Sequence, residues 1–162
     1  MATAHHNLSE YNKENIPNGA DFKIGIVVSE WNDSITFNLL KGAKEALLEN
    51  GVKGENILIK LVPGAFELPL GAQWLCQNET VDGVVAIGVV IQGETRHFDF
   101  VCEGATQGIM NVGLKYDKPV SFCVLTDNNI QQSIDRSGGK HGNKGIECAV
   151  ACMKMIGLKK SL

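Results

Sequence analysis

The amino-acid sequence predicts an α/β domain: four parallel strands in one sheet, doubly wound with helices on both faces. Three observations predict it. Four short runs, at residues 23–29, 56–62, 84–91 and 119–125, are dominated by β-branched and apolar residues, as suits strands buried on both faces of a sheet. Each is followed by a short turn and then by apolar residues at helical spacing. The unit recurs roughly every thirty residues, which suits a strand, a crossover helix and the next strand.

Residues 1–21 are polar and Asn-rich and read as a flexible N-terminal arm, because such a composition cannot bury enough apolar surface to fold by itself. Its His5-His6 pair is either solvated or a weak metal ligand, and a neighbouring subunit offers one way to order the arm, by pairing Ile16 and its flanks with a sheet edge. Residues 22–162 read as a single domain. KIGIVVS is the first strand and EWND the turn after it. Asp33 or Ser34 is expected to cap the next helix, whose stripe is Ile35, Leu39, Ala43 and Leu47 and whose end is marked by Asn50-Gly51. Trp31 stands outside that stripe, so it either packs on the helix or offers its face to a planar ligand.

The second strand runs into Pro63-Gly64, a turn, and Pro69 suits the first turn of the following helix. Phe66 and Glu67 therefore fall at a strand's carboxyl end. Glu67 is either an acid favoured by the helix dipole or an acceptor for ligand hydroxyls and amides. The third run, GVVAIGVVI, is the most apolar and is expected to be central, and it is cut by Gln92-Gly93-Glu94-Thr95 before a helix through Phe98, Val101, Cys102, Ala105, Ile109 and Val112. In open α/β sheets ligands bind beyond the carboxyl ends of the strands, where a helix's first turn offers unpaired N–H groups to an anion. Thr95 there is an N-cap, an anion ligand or both; His97 is a surface histidine or a proton carrier.

The fourth strand, PVSFCVL, leads through Thr126-Asp127-Asn128-Asn129 to a short helix ending near Arg136, then to the glycine-dense basic loop SGGKHGNKG and a last helix. Arg136 and Lys144 are available to a phosphate, though an exposed loop lysine is more often solvated. The order 2-1-3-4, flavodoxin-like, is the simplest doubly wound arrangement. A Rossmann dinucleotide site is disfavoured because the first turn has no GxGxxG, and a GxxxxGK[ST] phosphate loop is missing as well.

At 162 residues, 44% hydrophobic and 20% charged, the chain fits one domain with a sizeable core. A net charge of −3 with scattered basic residues gives no support to a nucleic-acid surface. The five cysteines include no CxxC pair and read as reduced thiols, and neither a membrane-spanning run nor a secretory signal is legible, so a cytoplasmic location is expected.

Three motifs then combine: VPGAFELP at 62–69, GVVIQGETRHFDFV at 88–101 and LTDNNIQQSIDRSGGKHGNKG at 125–145. Together, over about residues 23–157, the chain resembles the lumazine synthase family. The resemblance implies a flavodoxin-like subunit that condenses 5-amino-6-ribitylaminouracil with 3,4-dihydroxy-2-butanone 4-phosphate to give 6,7-dimethyl-8-ribityllumazine, phosphate and water, with no metal or redox cofactor. It implies that Trp31 stacks on the pyrimidine, that Ala65, Phe66, Glu67, Val89, Val90 and Ile91 hold the ring and ribityl chain, and that Glu94 and Thr95 meet phosphate. His97 matches the proton-transfer histidine. Phe122 and Arg136 match residues that similar enzymes supply from the adjacent subunit; Lys144 is counted with the phosphate ligands on its place in the basic loop alone. The family forms homopentamers, some packed as an icosahedral shell of sixty subunits, towards which the uninterrupted last loop points; riboflavin synthase is an implied partner. Glu94 departs from the small residue common there, so its backbone N–H is expected to bind while its carboxylate turns away. Trp31 replaces a commoner Phe, which implies affinity for riboflavin. Two other classes share the fold: a flavin- or nucleotide-binding module, and a shell without catalysis.

Overall fold

The computed structural model describes residues 7–162; His5 and His6 lie outside them. Four strands, β1 (Ile24–Ser29), β2 (Ile57–Val62), β3 (Gly83–Ile91) and β4 (Val120–Asp127), form one parallel sheet in the order β2-β1-β3-β4. This is the flavodoxin-like order expected from the sequence. The helices between them are α1 (Asp33–Glu49), α2 (Leu68–Gln77) and α3 (His97–Tyr116); α4 (Ile130–Arg136) and α5 (Lys144–Ser161) follow β4.

The two-residue period of a strand divides the core by faces. Ile24, Ile26 and Val28 of β1, with Val85 and Ile87 of β3, meet Leu39, Ala43 and Leu47 of α1 and Cys152, Met153 and Ile156 of α5. Val27 of β1, with Val84 and Ala86 of β3, meets Leu68, Ala72 and Leu75 of α2 and Ile109 and Val112 of α3. The sheet is thus covered on both sides, which is why β1 and β3 are apolar along most of their length.

Several local expectations are corrected. The cap of α1 is Asn32, held in the left-handed region at φ 60 without a capping side-chain bond, while Asp33 lies inside the helix and its carboxylate accepts from Ser34 N–H at 2.7 Å. Thr126 and Asp127 belong to β4, because β3 is long enough to pair with them through Val90 and Ile91. The glycine-dense loop is a hairpin of β5 (Ser137–Gly139) and β6 (Gly142–Asn143), joined by antiparallel pairing of Ser137 with Asn143. Gly142 there takes φ 82, a conformation that L side chains rarely adopt.

Residues 7–21 lie against the domain. Leu8 is buried, Ile16 packs on the α1/α5 side of the core and Pro17 sits over Gly157 of α5. Tyr11 donates to Glu49 at 3.3 Å and Lys13 pairs with the same carboxylate, both exposed and therefore weak. No helix among the described residues is long and apolar enough to cross a membrane.

Candidate functional site

A cavity of about 910 Å³ opens at the carboxyl ends of β1, β2 and β3. Three connections build it. After β1, Trp31 N–H donates to Pro63 C=O at 3.1 Å and Glu30 N–H to Val62 C=O at 2.8 Å, so the first two turns are laced together. Trp31 is 72% exposed and lines the cavity with its ring unpacked. The left-handed Asn32 beside it turns the chain sharply into α1.

After β2, a 3₁₀ turn over Ala65–Glu67 presents three different side chains. Ala65 is buried against the sheet and Phe66 stands exposed with its ring over Gly104 of α3. Glu67 folds towards Gly64, where a side chain would meet its carboxylate at 3.1 Å. After β3, Val89, Val90 and Ile91 form one wall, and Gln92 N–H donates to Asp127 C=O at 2.9 Å, anchoring the turn to β4. Gly93, Thr95 and His97 continue the lining, with Phe98, Phe100 and Val101 of α3 opposite. The Thr95 hydroxyl accepts from His97 N–H at a long 3.4 Å, while Arg96 holds the cap position of α3.

The cavity therefore brings together Trp31, Ala65, Phe66, Glu67, Val89, Val90, Ile91, Thr95 and His97. Four residues of the expected set are not in its lining. Glu94 is exposed just outside. Phe122 is half-buried on the α2/α3 side of β4. Arg136, at the end of α4, donates to Gln132 C=O at 3.0 Å. Lys144, the first residue of α5, is ion-paired with Glu147 at 2.8 Å, both largely shielded. Sequence reasoning missed Asn32, Gly64, Gly93, Phe98, Phe100 and Val101 as lining residues. Phe98 and Val101 were absorbed into the helical stripe, and Phe100, off that stripe, was assigned no role; the aromatic spacing in HFDF was the available signal.

The lining contains apolar walls, one carboxylate and one imidazole, and no lysine or arginine. The cavity is thus walled mainly by apolar and aromatic side chains, with His97 and Glu67 as its titratable groups. The cysteines lie elsewhere: burial pushes the Cys76 thiol up to about 11 and the Cys152 thiol up to about 12, and a hydrogen bond with Cys148, with burial, raises Cys123. Burial thus favours the protonated thiol at Cys76, Cys123 and Cys152. Among the described residues no three His, Cys, Asp or Glu side chains gather as a metal-binding group.

Residues 21–160 match the family described as 6,7-dimethyl-8-ribityllumazine synthase. The chain is 59% identical over 160 residues to the 6,7-dimethyl-8-ribityllumazine synthase of Flavobacterium johnsoniae, covering 99% of this chain and 84% of that protein. It is 59% identical over 161 residues to the protein of the same name from Christiangramia forsetii, covering 99% and 96%. A third relative so named, from Porphyromonas gingivalis, is 51% identical over 160 residues, covering 99% of each.

Proposed function

The chain belongs to the 6,7-dimethyl-8-ribityllumazine synthase family, and we propose on that footing that the cavity beyond β1, β2 and β3 is its active site. The protein is a transferase of riboflavin biosynthesis: it condenses 5-amino-6-ribitylaminouracil with 3,4-dihydroxy-2-butanone 4-phosphate to 6,7-dimethyl-8-ribityllumazine, phosphate and water. The observation that carries the site is the meeting of Trp31, Phe66 and His97 in one cavity from three separate strand ends.

In this reading Trp31 stacks on the pyrimidine, Phe66 closes over it, and Ala65, Glu67, Val89, Val90 and Ile91 hold the ring and ribityl chain. The amine attacks the ketone, the carbinolamine loses water, phosphate departs and the ring closes. His97, at the first residue of α3, carries protons between these steps, a role that contributes about 10² to 10⁴ in rate. Holding two reactants in register contributes much of the remainder. Thr95 and the backbone of Glu94 receive the phosphate at the start of α3, where the helix dipole favours an anion.

The lining has no cation of its own for a phosphate dianion. This supports a site completed by a second subunit, whose Arg136 and Lys144 approach the phosphate and whose Phe122 covers the pyrimidine. Exposed Phe37, Leu61, Leu70, Trp74 and Leu114 give the subunit apolar surface to bury in a homopentamer. Twelve pentamers then form the shell, with riboflavin synthase as the consumer of the product, and the five reduced thiols suit the cytoplasm.

The test is lumazine formation followed optically from the two purified substrates, with wild type, His97→Ala and Arg136→Ala beside a protein-free control. Wild type exceeds the control and Arg136→Ala loses most of that advantage. A wild-type rate equal to the control sinks catalysis in this cavity.

A further inference from the structure

The hairpin between α4 and α5 is held from outside by the N-terminal segment. Arg136 directly precedes β5 and Lys144 directly follows β6, and Ser137 pairs with Asn143. The backbones of the two cationic residues thus flank one paired rung, at the open end of the hairpin. Asn143 is the centre of this arrangement. Its side-chain amide donates to Asn38 C=O of α1 at 2.8 Å and, at 3.4 Å, to Ser137 C=O. Its side-chain carbonyl accepts from Gly145 N–H at 2.8 Å, which caps α5.

The one backbone donor of Asn143 is directed elsewhere: its N–H donates to the Ser9 hydroxyl at 3.0 Å. One residue earlier, Leu8 N–H donates to His141 C=O at 2.8 Å, and the Leu8 side chain is buried. The opposite side of the hairpin tip is tied to α4 by His141 N–H, which donates to Asp135 C=O at 2.8 Å. The hairpin is thus clamped between α4 and a strap at residues 8–9.

We infer that Ser9 and Leu8 are positioning residues for phosphate, acting through Asn143 to fix Arg136 and Lys144 relative to each other. This rests on the assignment of those two cations to phosphate made above. Neither Ser9 nor Leu8 touches substrate. Without the Ser9 hydroxyl the N–H of the buried Asn143 has no acceptor, and the rung relaxes towards one. The two cations then spread, and recognition of the phosphate group suffers while that of the pyrimidine does not.

The experiment is steady-state kinetics on the full chain, each substrate varied in turn, with inorganic phosphate as product inhibitor. For Ser9→Ala the KM for the butanone phosphate and the inhibition constant for phosphate rise together, about three- to tenfold. The KM for the pyrimidine stays at wild type, while the thermal midpoint falls modestly because the buried Asn143 N–H has lost its acceptor. Ser9→Thr, which keeps the hydroxyl, restores both phosphate constants. Leu8→Asp, which drives the strap off the domain, shifts the same two constants at least as far. Phosphate constants unchanged in both Ser9→Ala and Leu8→Asp overturn the inference, as does an equal rise in both KM values. Arg136→Ala is run alongside: phosphate constants insensitive to it overturn the phosphate assignment itself, whatever the strap variants do.

Discussion

Gly104, midway along α3, leaves room for the ring of Phe66: a Cβ there would stand 2.7 Å from Phe66 Cε2. The aromatic wall of the cavity is therefore set by a missing methyl group on a neighbouring helix. Gly104→Ala pushes the ring outwards while adding helix propensity, worth up to about 1 kcal/mol. The expected result is a thermal midpoint at or above wild type together with a KM for the pyrimidine raised about three- to tenfold. Unchanged KM would show that Phe66 does not hold the ring.

The buried Ser29 at the end of β1 is a second marked position. Its hydroxyl has no hydrogen-bond partner among the described residues, and Thr36 bonds to the Ser29 carbonyl rather than to the hydroxyl. An unsatisfied buried hydroxyl costs about 1–3 kcal/mol. Ser29→Ala removes the polar atom and keeps the backbone acceptor, so urea unfolding is expected to give a variant equal to or more stable than wild type. A loss above about 1 kcal/mol would mean that the hydroxyl is bonded in solution.

The thiols set an alkaline limit. Cys76 at about 11 and Cys152 at about 12 both lie above the ordinary 9.0, so the folded state holds their protons more tightly than the unfolded chain. Their stabilising effect is complete below pH 9.0 and is lost as pH rises through the folded values. Chemical denaturation from pH 7 to 11 should show stability falling only above about pH 9, and Cys76→Ala with Cys152→Ala should flatten that limb. In the intact protein near pH 8, half-buried Cys102 should be alkylated before the four buried thiols.

Trp31 offers 72% of its surface at the cavity mouth. In a Trp74→Phe background, which removes the other indole, riboflavin is expected to quench Trp31 emission with a midpoint on the order of micromolar. Absence of saturable quenching, or quenching retained in Trp31→Ala, would end the idea that this face holds a flavin.

Much of the framework was readable because the signals were redundant. In β1 and β3 the apolar runs and the following helical stripes agree, and both strands proved to lie inside the sheet. The hairpin was not legible: Ser-Gly-Gly and Gly-Asn have no strand propensity, and they pair because Asn143 is bonded to α1, to the Ser137 carbonyl and to Ser9, partners as far as 134 positions apart. The cap of α1 misled because Asp33 and Ser34 are good local caps, whereas the left-handed Asn32 answers to the lacing of two turns. At the site, residues at strand ends were legible from position in the fold. Phe98 and Val101 were not, since a stripe facing a cavity and a stripe facing a core look alike in sequence.

The sheet that separates the two helical layers also separates two kinds of defect. His97, Phe66 and Phe100 belong to the α2/α3 side, and Arg136 and Lys144 flank the hairpin that packs with α1 and α5. In an assembly whose sites are shared between neighbours, a lesion at His97 or Phe66 disables the subunit's own cavity, and a lesion at Arg136 or Lys144 disables its neighbour's. Two inactive alleles, His97→Ala and Arg136→Ala, would then complement each other when coexpressed, since some interfaces would unite the intact half of each. Two lesions that both strike the subunit's own cavity, His97→Ala and Phe66→Ala, would not.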